Sequence, residues 1–160
     1  PIAVCTGTEG IRAAAEKVFF SGTHFFSGVP FAAAMATLDE IERSDAIGRI
    51  RSSGETLVRS LQDAADSEGV EVTLSGPPAM PFMTFKGDPG FQKAQFFCGE
   101  AARRGVFLHP HHNWFVSAAL TDRDIERTAE TARECFALTR QRFSPCREPV
   151  LPLLSGENIF

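Results

Sequence analysis

The sequence has no basic run and no long apolar one. Lys and Arg total 16 against 20 Asp and Glu, a net charge of −4, so charge gives no reason to expect nucleic acid as a partner. No stretch approaches the ~20 consecutive apolar residues that cross a bilayer. The first residues show no basic segment leading into an apolar one, so no signal peptide is expected. The four cysteines, Cys5, Cys98, Cys135 and Cys146, form no CxxC pair. That argues against a thiolate metal site or a disulfide framework and for buried thiols in a reduced, cytoplasmic setting. A G-x-S-x-G elbow, a P-loop and a Cys–His signature are all absent, which leaves the common nucleophile schemes without support. Lysine occurs only at Lys17, Lys86 and Lys93.

What is present suits a globular chain. With 160 residues and 43 % apolar content, there is enough for one domain with a core, or for part of a larger one. The chain opens without Met, and Pro1-Ile2-Ala3-Val4 reads as the tail of a strand already under way, so a fragment is expected. Thr8 can cap a short helix to Val18, with Ile11, Ala14, Ala15 and Val18 in a stripe. Pro30 suits the first turn of a second helix, whose stripe is Phe31, Ala34, Met35, Leu38 and Ile41. Its alanines point to close packing against another element. Ser44 or Asp45 can cap a third helix to about Glu68, with Ile47, Ile50, Leu57, Leu61 and Ala64 inward, Gly54 in the same row and Gly69 as the stop.

From Val70 the period changes to two. Val70, Val72 and Leu74 mark one strand and Met80–Phe85 another. Pro89 opens a helix to about Arg104 that turns Phe91, Ala94, Cys98 and Ala101 inward, and Gly105 ends it. Val106–Leu108 and Trp114–Ala118 read as two more strands. Thr121 and Asp124 have capping-box spacing ahead of a last helix striped by Ile125, Ala129, Ala132, Phe136 and Phe143. The expected fold is therefore α/β, with a long helix followed by a small α+β domain whose helices cover one face of a small sheet. Residues 144–160 are Pro-rich and aperiodic and read as an irregular tail.

One stretch invites chemistry. In FFSGTHFFSGVPFAAAMATL, from Phe19 to Leu38, a turn of Ser21, Gly22 and Thr23 precedes Gly28 and a helix start. Glycine lets backbone approach an anion, the Thr23 hydroxyl is a donor, and a helix N-terminus presents open N–H groups. The plain alternative is a Gly-containing loop before a buried helix. The stretch resembles the segment after the cofactor lysine in class-III pyridoxal-phosphate aminotransferases, in the subgroup with glutamate-1-semialdehyde aminomutase. That family reads approximately G-T-x-x-G-N-P-x-x-x-A-A-x-x-x-T-L. Matching residues are Gly22, Thr23, Gly28, Pro30, Ala33, Ala34, Thr37 and Leu38, with Val29 in place of the usual Asn. The likeness continues through Arg104-Gly105-Val106 and from Phe115 to Ile125.

The resemblance implies the C-terminal part of a fold-type-I enzyme. Residues 1–42 would end the large cofactor-binding domain, 43–143 would form the small domain with its linking helix, and 144–160 would be the tail. It implies pyridoxal 5'-phosphate as cofactor and a homodimer with shared active sites. Gly22 and Thr23 would contact the phosphate held by the neighbouring subunit. The reaction implied is amino transfer, or an intramolecular amino shift, on a small amino or keto/aldehyde substrate through a Schiff base. Its lysine is expected upstream of residue 1, and no residue of this chain is assigned as catalytic; racemisation also occurs in the family.

Asn113 stands near where many members carry a carboxylate-binding arginine, and Leu120 where the aminomutases often have His. The rival reading is a non-catalytic α+β interaction module, or a degenerate remnant of the family. His109, His111 and His112, with His24, offer nitrogens for a metal, but no carboxylate or cysteine lies beside them in sequence. They read as a polar loop between strands, and no metal is assigned.

Overall fold

The computed structural model describes residues 2–4, 6–19, 21–25 and 27–144. Expectations that fall on Pro1, Cys5, Phe20, Cys146 and the rest of the 145–160 tail lie outside the described residues. The chain divides into two compact units, 1–48 and 49–160.

The first unit holds two helices. α1 (Glu9–Ala15) follows Thr8, which has the extended backbone of an N-cap though its hydroxyl caps nothing. Arg12 ties the helix together through Glu9 and Glu16. It stops three residues short of Val18 and buries none of its stripe. α2 (Gly28–Arg43) starts two residues before Pro30, which falls in the first turn where a missing N–H costs no helical bond. The expected close packing of its alanines is not seen. α2 buries no residue, and Phe31, Met35 and Leu38 are all more than half exposed. Among the described residues of this unit, the other complete helix is the seven-residue α1, itself without a buried residue. Asp45, with φ 46°, turns the chain beyond α2, and its carboxylate lies against the Gly48 Cα.

The second unit holds the core. Most of α3 (Ala46–Ser67) belongs to it, and Leu57, Leu61, Ala64 and Ala65 are its buried face. Ile47, expected inward, is 65 % exposed, although Ala46 beside it is buried. Gly54 is buried where a Cβ would come within 2.1 Å of the Pro78 carbonyl oxygen. α3 ends as expected at Gly69. That residue has φ 65°, its N–H donates to Asp66 O, and the Val70 N–H reaches back to Ala65 O. β1 (Val72–Ser75) pairs antiparallel with β2 (Phe82–Phe85), Val72 opposite Phe85 and Ser75 opposite Phe82. α4 (Gln92–Arg103) begins after Pro89 rather than on it. Phe91 occupies the cap position but has no acceptor, so the Asp88 carboxylate takes the Gln92 and Ala94 N–H groups at 2.8 and 3.1 Å. Gly105 closes α4 with the same pair of back-reaching bonds seen at Gly69, from its own N–H to Ala102 O and from the Val106 N–H to Ala101 O.

α5 (Asp122–Phe143) packs along α4. Phe97 and Phe136 are fully buried with ring centroids 4.5 Å apart, and Phe85 of β2 stands edge-on to Phe97 at 5.6 Å. Cys98 and Cys135 are free and buried beside them. Burial, helped by the neighbouring Cys135, pushes the Cys98 thiol up to about 12; burial likewise raises Cys135 to about 11.

Two expected strands are not strands. Among the described residues the sheet has β1 and β2 alone, and Val106–Leu108 and Trp114–Ala118 make no ladder. The second segment does run beside 79–81, with Trp114 N–H on Pro81 O at 2.9 Å and Val116 N–H on Ala79 O at 3.0 Å. Pro81 has no N–H to return, so the pairing is one-sided and stops. The α+β order of long helix, small sheet and covering helices is nonetheless the one expected.

The capping box of α5 forms in full. Asp124 N–H donates to Thr121 Oγ1, and the Thr121 N–H and hydroxyl both donate to Asp124 Oδ2. Those Thr121 bonds, the hydroxyl first and the backbone second, hold the Asp124 carboxyl below its ordinary range. Folding thus favours the ionised form. Its contribution is complete above the unfolded carboxyl's pKa and disappears as pH falls through the folded one. Thr121→Ala is expected to lower stability by about 1 kcal/mol near neutrality. The deficit should narrow in acid, as pH falls below the unfolded carboxyl's ordinary value of about 3.9. Urea midpoints of both proteins across that range check it, and a deficit independent of pH would contradict the assigned partner.

Candidate functional site

The anion-type turn lies wholly in the first unit. Phe25 N–H donates to Gly22 O at 3.1 Å and Ser27 N–H to His24 O at 3.0 Å, winding residues 22–27 into two successive turns ahead of α2. Ser27 takes the cap position without a side-chain cap bond, Pro30 has no N–H, and the Gly28 and Val29 N–H groups make no hydrogen bond among the described residues. The Thr23 side chain is exposed and makes no hydrogen bond among the described residues, and the space where a Gly22 Cβ would stand is empty to 4 Å. No acidic residue lies in the first turn of α2. Donors without competing carboxylates suit a phosphate.

The lysines sit elsewhere. Lys86 pairs with Glu71, Lys93 Nζ donates to Lys86 O at 3.0 Å, and Lys17 is exposed just after α1.

The histidine loop is held by hydrogen bonds. His109 Nδ1 accepts from His111 N–H at 3.1 Å, Gln95 donates to His111 Nε2 at 3.1 Å, and His112 Nδ1 donates to Asn113 O at 2.8 Å. These bonds hold the three rings in separate orientations, with His109 about 6 Å from each of the other two centroids. Among the described residues no three His, Cys, Asp or Glu side chains converge as a metal would require.

The loop instead walls a cavity of about 620 Å3 in the second unit. Val106, Leu108, Trp114 and Leu120 give it an apolar lining, and Phe107 and Phe115 stand exposed in its wall. Asn113 lines it, as do Asp124 and Arg127 of α5. Arg127 escaped the sequence reading. It follows the capping box by one turn, and only the approach of α5 to Gly105 brings it to this wall.

No protein-family model matches the chain. It is 33 % identical over 157 residues to an aminopentol aminotransferase of Sphingopyxis macrogoltabida, which spans 98 % of the chain and 37 % of that protein. It is 33 % identical over 144 residues to a glutamate-1-semialdehyde 2,1-aminomutase of Desulfatibacillum aliphaticivorans, spanning 78 % of the chain and 34 % of that protein. A solved structure, the pyridoxal-phosphate internal aldimine form of the FumI protein of Sphingopyxis sp. MTA144, superposes on 86 % of the chain and 33 % of its own length, with a TM-score of 0.81 at 34 % identity. The chain thus spans about a third of the length of the relatives it matches. Its fold is that of part of a pyridoxal-phosphate-dependent transferase. Along most of its length it is similar to aminotransferases and to glutamate-1-semialdehyde aminomutases, each matched over about a third of its own length.

Proposed function

We propose that this chain serves a pyridoxal-phosphate-dependent enzyme that moves an amino group between, or within, small amino and keto or aldehyde substrates. The observation that carries the reading is the FumI superposition, with a TM-score of 0.81 over 86 % of the chain. Pyridoxal phosphate, when bound, supplies an aldehyde and an electron sink for amino-group chemistry. The lysine that holds it is expected outside this chain, upstream of residue 1. The part proposed for these residues is electrostatic. Thr23 donates its hydroxyl to a phosphate oxygen, and Gly22 keeps the backbone free of a side chain so that the anion can approach. In this reading residues 1–42 complete the large domain, residues 43–143 form the small one, and the phosphate belongs to the neighbouring subunit of a cytoplasmic homodimer.

The test is Thr23→Val in the full-length enzyme. Losing a hydrogen bond to a charged group costs about 1.5–3 kcal/mol, so cofactor affinity should fall at least tenfold. Cofactor release followed by absorbance during dilution measures it. Affinity equal to that of the unaltered enzyme would remove Thr23 from the phosphate site.

A further inference from the structure

The cavity of the second unit combines an apolar lining with a guanidinium that makes no direct ion pair. Trp114, Leu108, Val106 and Leu120 form a lining of partly buried apolar side chains. On the α5 side, Arg127 donates from Nη2 to the Arg104 carbonyl at 3.3 Å, and no carboxylate lies within 4.0 Å of its guanidinium among the described residues. Asp124 shares that wall and its charge acts on Arg127, but its Oδ2 is turned to the two Thr121 donors and makes no direct ion pair with the guanidinium. Across the cavity, His109 accepts at Nδ1 from His111 N–H, which puts the proton of the neutral ring on Nε2 as a further donor. The polar equipment is thus weighted toward donors, with the Arg127 guanidinium free of a direct ion pair. The volume of about 620 Å3 falls in the range of small-molecule sites.

From this arrangement we propose that the cavity binds a small carboxylate with an apolar body, its chain or ring against Trp114 and Leu108 and its carboxylate on Arg127. A guanidinium is the side chain best matched to a carboxylate, which it can grip with two parallel hydrogen bonds. The apolar body supplies the larger share of the binding free energy and the ion pair supplies the discrimination. Gly22 and Thr23 take no part, so failure of the phosphate reading leaves this site standing, and the reverse.

Trp114 is the sole tryptophan and lines the cavity, so it reports directly on occupancy. The full chain is titrated with octanoate, octan-1-ol and octylamine while its fluorescence is followed. The expected result is a saturable change with octanoate and affinity at least tenfold weaker for the alcohol and the amine. Arg127→Gln should bring octanoate down to the level of the alcohol and leave the alcohol unchanged. Arg123→Gln, which changes an exposed arginine of α5 outside the lining, should leave octanoate binding as it was. Far-UV circular dichroism establishes that both variants are folded, which the exposed positions favour. Octanoate and octanol binding equally well, an indifferent Arg127→Gln variant, or no saturable change at all would each overturn the proposal.

Discussion

Phe136→Ala should cost about 4 kcal/mol of unfolding free energy. That is a large part of the 5–15 kcal/mol typical of a domain. Phe136 is completely buried and closes a triangle of rings with Phe97 at 4.5 Å and Phe85 at 5.9 Å. One ring therefore joins α5 to both α4 and β2. Its removal takes away the transfer free energy of the side chain and leaves a void that three different elements would have to move to close. Phe115→Ala is the matched control. That ring is 69 % exposed, and its loss should change stability by less than about 0.5 kcal/mol. Urea or guanidinium denaturation of the two variants beside the parent chain measures both. A Phe136→Ala loss near that of Phe115→Ala would mean that the aromatic cluster is not the centre of the core.

Gly54→Ala is expected to destabilise, opposite to what helix propensity alone would give. Alanine in place of glycine inside a helix favours folding by about 1 kcal/mol. At Gly54 the added methyl would sit 2.1 Å from the Pro78 carbonyl oxygen and 2.5 Å from its carbon. The obstacle is backbone in a Pro-Pro turn, so it cannot swing aside as a long side chain would. An overpacking cost of about 3 kcal/mol outweighs the propensity gain and leaves a net loss of about 2 kcal/mol. The denaturation midpoint decides by its sign, since a variant more stable than the parent would show that the β1–β2 turn does not press on α3.

Features set by neighbouring residues were legible in the sequence. Thr121 and Asp124 form the expected box, Gly69 and Gly105 end the expected helices, and the alternation of Val72 and Leu74 gives β1. Each depends on residues a few positions apart. Features set by distant residues were not legible. Trp114–Ala118 has strand composition, yet its partner segment contains Pro81, and one missing N–H far away in sequence decides the outcome. Asp88 caps α4 from beyond the usual position because Phe91 offers no acceptor. The Gly22–Thr23 turn was visible as a pattern, but Gly, Ser and Thr make many turns, and only the resemblance gave it a phosphate. Arg127 went unseen because a cavity is a property of packed elements, and no local spacing announces it.

The proline-bearing turn before β2 also bears on association between chains. Short sheets risk growth at their margins, where unpaired N–H and C=O groups can template a strand from another molecule. At 77–81, Pro77, Pro78 and Pro81 have no N–H, and Met80 directs its own to Pro77 O. Only Ala79 keeps a donor that could face outward. The Pro81, Ala79 and Pro77 carbonyls already take the Trp114, Val116 and Met80 N–H groups, so an incoming strand would find few open acceptors and almost no donors, and recruitment of another molecule through this margin is discouraged.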